Sequence, residues 1–146
     1  MKITLERVAA IIAALILLQT LYFKFSAHPD SVLLFTTLGM EPYGRIGIGV
    51  GELIAAGLLL WPRTSGIGAV LALGLMSGAI FFHLTKLGIN HNGDGGMLFG
   101  LAVAVFVCSL YVAWVKRKTI PVVGVGALGR LRGALGRLGV RAFGRT

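Results

Sequence analysis

Charge is scarce in this chain, and acidic charge scarcest of all. Asp and Glu together number 5 in 146 residues, and charged residues of both signs make up 13%. A soluble domain carries about 25%, so the composition argues against a water-soluble globular enzyme. Cysteine is nearly absent as well. Cys108 is the single one, which rules out an intrachain disulfide and any C-x-x-C redox pair. It lies within an apolar run and reads as a small packing residue rather than a reactive thiol. Proline is absent from the long apolar stretches. Pro29, Pro42, Pro62 and Pro121 all fall between or beyond them, as expected if those stretches are helices that a missing N–H would interrupt.

What is present in abundance is apolar sequence: 56% of residues are hydrophobic and the mean hydropathy is +0.88. A hydrocarbon layer about 30 Å thick takes about 20 helical residues at ~1.5 Å each. Four runs meet that length: Leu5–Phe23, Tyr43–Trp61, Gly66–Leu87 and Met97–Val115. None alternates with the period of a barrel strand, and backbone groups in lipid must be satisfied within the segment. The sequence therefore predicts an all-α membrane protein, a four-helix transmembrane bundle over residues 1–118, followed by a basic Gly/Arg-rich tail over 119–146. The first run is expected to remain as an uncleaved helix, because Phe25-Ser26-Ala27 lacks the small-x-small pattern of a signal cleavage site.

The basic residues are unevenly placed. Fourteen Lys and Arg give a formal charge of +9, and eight of them lie from Lys116 onward with no acid among them. Such a tail suits an anionic lipid surface or an acidic protein partner, and no nucleic-acid-binding pattern accompanies it. Within it, Leu128, Leu131, Leu135 and Leu138 recur at helical spacing among arginines, while seven glycines from Gly124 onward oppose a helix. With the N-terminus inside, that side receives Lys2, Arg7, Arg63 and the eight C-terminal cations. The other side receives Lys24, Arg45 and Lys86. The positive-inside rule then puts both termini in the cytoplasm.

Between the spans, Pro62–Ser65 is a tight turn that makes the second and third spans antiparallel neighbours. The 24–42 connection is longer, and its Ser31–Leu38 piece reads as a short interfacial helix capped by Asp30. The 88–96 connection is polar and glycine-rich, a turn. Gly47 with Gly51, Gly74 with Gly78, and Gly96 with Gly100 are each four apart. Such spacing places small residues on one helical face, a device for close helix packing in lipid or for contact with a second copy of the chain.

Several polar residues inside the spans stand out. Glu52 lies eight residues after Gly44, ~12 Å into the second span. A carboxylate there needs a partner or a proton; it reads either as an interhelical hydrogen bond or as part of a polar pocket. Arg45 shares its face, with snorkelling to the surface as the alternative. Gln19 and Lys24 near one end of the first span, and His83 and Lys86 near one end of the third, converge on the same leaflet as Glu52. Ser77 matches Glu52 in depth but points elsewhere than His83. His83 is either a satisfied core histidine or a proton-handling or quinone-binding group. A metal site from His28, Asp30, His91 and Asp94 is not expected, since their spacing matches no ligand motif.

With these residues in view, the chain resembles the DoxX-like family of small four-span bacterial inner-membrane proteins over about residues 5–118. The likeness rests on Phe23-Lys24-Phe25-Ser26, on Gly51-Glu52-Leu53-Ile54-Ala55-Ala56-Gly57, on His83-Leu84-Thr85-Lys86-Leu87-Gly88 and on Gly93-Asp94-Gly95-Gly96. It implies an inner-membrane location and a role as an accessory or quinone-linked redox subunit, with a quinone as the implied cofactor. Two other readings compete: a scaffold that binds partners through its glycine faces and basic tail, and a small proton-coupled transporter. The lack of an inverted repeat weighs against the last.

Overall fold

The computed structural model describes residues 3–120 together with Gly133, Ala134 and Gly136. The patterned leucines of the basic tail lie outside the described residues. Five α-helices follow one another: α1 (Leu5–Phe25), α2 (Pro29–Thr37), α3 (Tyr43–Leu60), α4 (Ser65–Phe82) and α5 (Met97–Lys116). α4 runs on into a wider π-turn, His83–Leu87, and a 3₁₀ turn spans His91–Gly93. No strand occurs among the described residues. Four helices, with α4 and its π-turn counted as one of 23 residues, are long and apolar enough to cross a membrane.

Local chemistry explains the boundaries. Thr4 caps α1 by accepting from the Arg7 N–H at 3.3 Å. α2 begins two residues earlier than the sequence suggested. Its cap is His28, whose Nδ1 accepts from the Asp30 N–H at 3.3 Å, and Pro29 occupies the first turn, where a missing N–H costs nothing. Asp30 is thus inside the first turn, not before it.

The four long helices form a ring in which α1 packs on α3 and α5, and α4 packs on α3 and α5. Their seam is built of alanine. Ala10, Ala13 and Ala14 of α1, Ala55 and Ala56 of α3, Ala69 and Ala72 of α4 and Ala102 of α5 are buried, joined by Leu17, Leu59, Met76, Val105 and Val112. Within each helix these recur at three and four, the inner stripe of a helix. The opposite faces expose large apolar side chains: Leu15, Ile54, Phe81 and Val107 each keep more than half of their surface uncovered. A folded chain of this size with such a girdle has lipid, not water, as its solvent. The protein is a multi-pass membrane protein.

The glycine spacing needs correction as a guide to the seam. A Cβ at Gly47, Gly74, Gly78 or Gly100 would meet nothing within 4 Å. At Gly51 it would touch only the Leu75 side chain at 3.4 Å. Gly96 serves a different purpose, holding a left-handed φ of 83° before α5. The close approach is at Gly68, where a Cβ would lie 2.6 Å from the Leu59 backbone N and 2.9 Å from the Ala55 carbonyl O. The short 61–64 turn presses the start of α4 onto the end of α3 there.

The two ends of the ring differ in character. At one end Arg7 donates to the terminal carbonyls of α3, Leu59 at 3.1 Å and Leu60 beside it, so that a cation meets the negative end of that helix. Lys116 lies 3.6 Å from Glu6 and 3.4 Å from the Pro62 carbonyl. The start of α1 and the end of α5 therefore share one end. The other end carries α2, the 88–96 connection and the polar residues described next.

Candidate functional site

At the end opposite the chain's described termini a cavity of about 340 Å³ opens between α1, α4 and α5, with α2 and the 91–94 turn over it and α3 contributing Ile48 and Glu52. Its walls are mostly apolar: Ile16, Leu17, Leu34, Phe35, Leu75, Met76, Phe82, Leu101 and Val105 among others. The volume is at the small end of the range for ligand sites, roughly 300–1,000 Å³. Into this apolar space project a few ionisable and polar groups.

The principal one is a buried ion pair. Lys24 Nζ of α1 lies 2.9 Å from Glu52 Oε2 of α3, with side chains 14% and 5% exposed. One turn before Lys24, Thr20 Oγ1 is placed to donate to the same Oε2 at 3.1 Å, and its other neighbour is its own helix carbonyl at Leu17, 2.8 Å away. Both contacts fall on Oε2. Oε1 takes no hydrogen bond among the described residues, yet it is not sealed in protein as the unpartnered His83 Nε2, His91 Nε2 and Ser109 Oγ are. The pair solves the cost of placing a carboxylate within a span, and it leaves one of the two oxygens uncommitted.

His83 forms another part of the wall, at the junction of α4 with its π-turn. Its Nδ1 is 2.8 Å from the Ala79 carbonyl O. A carbonyl can only accept, so this contact assigns the proton to Nδ1, and in the neutral ring Nε2 is left as a lone pair. The ring leans on Phe99, centroids 5.9 Å apart. His91 is buried as well, and its Nε2 likewise has no partner among the described residues.

The connection beneath is tied down by Asp94, whose carboxylate accepts from the Gly96 N–H at 2.8 Å and the Leu98 N–H at 3.0 Å at the start of α5. Burial pushes its carboxyl pKa up, but hydrogen bonds from the backbone of Leu98, Gly96 and His91 outweigh this and hold it below the ordinary carboxylate value.

Of the residues singled out from the sequence, Glu52, Lys24, His83 and Gln19 line the cavity, Gln19 from an exposed position on α1. Arg45 does not join them. Its guanidinium pairs with Glu41 at 2.8–2.9 Å and donates to the Lys24 carbonyl, so it braces the helix that carries Lys24 instead of reaching Glu52. Ser77 is exposed and returns its hydroxyl to the Leu73 carbonyl at 2.7 Å. Lys86 is exposed on the π-turn and outside the cavity. Helical phase explains both: Ser77 and Lys86 fall on either side of the inward stripe that carries Met76 and His83, and both are exposed.

Two contributors escaped the sequence reading. Thr20 was detectable, since it precedes Lys24 by four residues and so shares its face. The roof supplied by Leu34 and Phe35 of α2 was not, because nothing in a short amphipathic helix says which neighbour it covers. His28 and Asp30 are 3.6 Å apart, and Asp30 Oδ1 accepts from Asn92 Nδ2 at 2.9 Å. Among the described residues no three His, Cys, Asp or Glu side chains are grouped to hold a metal ion. Compared with family models, with curated proteins and with solved structures, the chain finds no match.

Proposed function

We propose that this membrane protein is an accessory subunit that holds a lipid-soluble quinone in the cavity at the end of the bundle opposite its termini. The observation that carries this reading is the Lys24–Glu52 pair facing an otherwise apolar space of about 340 Å³. An apolar chamber with a few polar groups converging at one side is the form of a site for an amphiphile with a compact polar head. Its volume suits one substituted ring better than the glycerol backbone and paired chains of a phospholipid. His83 and Phe82 in the wall suit a planar ring as well. The resemblance of Gly51–Gly57 and His83–Gly88 to the DoxX-like family points the same way. The single cysteine leaves the chain without a dithiol for thiol–disulfide turnover of its own, which is in keeping with an accessory role. With both termini cytoplasmic, as the basic residues favour, the cavity lies in the outer leaflet of a bacterial inner membrane.

The test is equilibrium binding of a short-tailed ubiquinone or menaquinone analogue, in either redox state, to the full chain in nanodiscs. The control is Gly78→Leu. Gly78 lines the cavity and a Cβ there meets nothing within 4 Å, so a larger side chain at this position takes up space in the chamber. Saturable binding that this variant loses supports the reading. No saturable binding of either redox state, or binding unaltered in the variant, overturns it.

A further inference from the structure

The hydrogen-bonding inventory of the cavity goes further than its shape. A quinone ring carries carbonyl oxygens, which only accept. The reduced ring carries hydroxyls, which donate and accept. A wall discriminates between them only through atoms able to play a single role. Lys24 cannot discriminate: its ammonium donates, and both a carbonyl and a hydroxyl oxygen can receive that bond. Thr20 can only be bonded in one direction at a time, and its proton has two acceptors within its own surroundings, Leu17 O and Glu52 Oε2. Glu52 Oε1 is different. Its partner oxygen takes both Lys24 and Thr20, while Oε1 takes nothing and remains open. An ionised carboxylate oxygen accepts and never donates. Against it a ring hydroxyl forms a charge-assisted bond, whereas a ring carbonyl sets lone pair against lone pair.

His83 has the same polarity. With its Nδ1 proton given to the Ala79 carbonyl, the Nε2 atom of the neutral ring is an acceptor as well, but it is enclosed by protein and so leaves Glu52 Oε1 as the acceptor open to a ligand. Among the described residues, the one acceptor that stands open in the wall is therefore Glu52 Oε1, beside the Lys24 ammonium, which serves either form of the ring. This deepens the preceding reading and rests on it.

We infer that the cavity selects its ligand by a ring hydroxyl donated to Glu52 Oε1, so that it holds a lipid-soluble quinol in preference to the corresponding quinone. Lys24, paired with Oε2 at 2.9 Å, fixes which oxygen is free; it is a positioning residue. No electron transfer is required of this chain by that preference. The site acts as a holder of the reduced form, delivering it to or taking it from a redox partner.

The experiment compares one short-tailed ubiquinol with its oxidised form, anaerobically, on the full chain in nanodiscs. A hydrogen bond to a charged group that only one ligand can make is worth about tenfold or more in affinity, so the quinol is expected to bind at least about tenfold more tightly. Glu52→Gln removes the charge while keeping an amide that can donate or accept, and the ratio is expected to fall below about threefold. Equal binding of the two forms by the unaltered protein, or a preference that survives Glu52→Gln, overturns the quinol selection and leaves the quinone site standing. Failure of both forms to bind overturns the site itself. The first comparison needs no variant, so it stands even where the substitution lowers stability.

Discussion

Lys24 Nζ and Glu52 Oε2 meet at 2.9 Å across the α1–α3 interface, both largely buried. Their separate removal and their joint removal have different consequences. Lys24→Met strands a carboxylate among apolar neighbours, at a cost of about 3–5 kcal/mol when a buried pair loses one member. Replacing both, Lys24→Met with Glu52→Leu, removes charge and partner together and is expected to recover most of that loss. Thermal unfolding of the purified protein in one detergent checks this. Additive losses in the double variant would show that the pair is not coupled.

The glycines yield a second contrast. Gly68→Ala drives a Cβ to 2.6 Å from the Leu59 backbone N and 2.8 Å from Leu58 Cβ, where no side-chain rotation can make room. Overpacking of this kind costs about 1–3 kcal/mol, and the shift also tilts α4 away from α3. Gly47→Ala and Gly74→Ala meet open space and gain helix propensity, so they are expected to be neutral or stabilising by up to about 1 kcal/mol. Melting temperatures of the three variants decide it. A large loss at Gly47 would instead mark its face of α3 as a contact with a second copy of the chain.

This contrast shows what was legible in the sequence. Hydropathy and length give the four spans to within a few residues, because the bilayer imposes both. Glu52 is legible for the same reason, as a charge at a depth where charge is costly. Which small residues form the seam is not legible from spacing. Gly74 and Gly78 obey the four-residue rule but face away from close neighbours, whereas Gly68 and the alanines depend on how far the 61–64 turn draws α4 onto α3. Likewise Arg45 is in phase with Glu52, but Glu41, one turn earlier, captures it first. Helical phase lists the candidates on a face; only the packing of the neighbouring helix selects among them.

Asp94 gives the protein a pH dependence of known sign. Its folded-state pKa is depressed, as the backbone N–H donors of Leu98, Gly96 and His91 outweigh its burial. The stabilisation is present above the unfolded carboxyl value, about 3.9, and is lost as the pH falls through the lower folded value. Asp94→Asn is expected to be less stable than the parent at pH 7, with the gap narrowing below about pH 4. Melting curves from pH 3 to pH 7 in one detergent test it. A gap constant across that range would mean that Asp94 acts by shape alone.

Asn92 Nδ2 donates to Asp30 Oδ1 at 2.9 Å, linking the turn beneath α5 to the first turn of α2. α2 forms the roof of the cavity through Leu34 and Phe35, and it packs only lightly on its neighbours, with Phe35 its one buried residue. A single exposed hydrogen bond contributes about 0.5–1.5 kcal/mol, which amounts to roughly two- to tenfold in an opening equilibrium. Asn92 has a left-handed backbone, φ 53°, so alanine there would confuse loss of the bond with strain. Asn92→Gly keeps that conformation and deletes only the side chain. Amide hydrogen exchange over residues 32–37 is then expected to speed up by that factor, while exchange in α1 and α5 stays unchanged. If α2 exchanges at the parental rate, the roof is held by Phe35 alone, and the link to Asp30 has no part in opening the cavity.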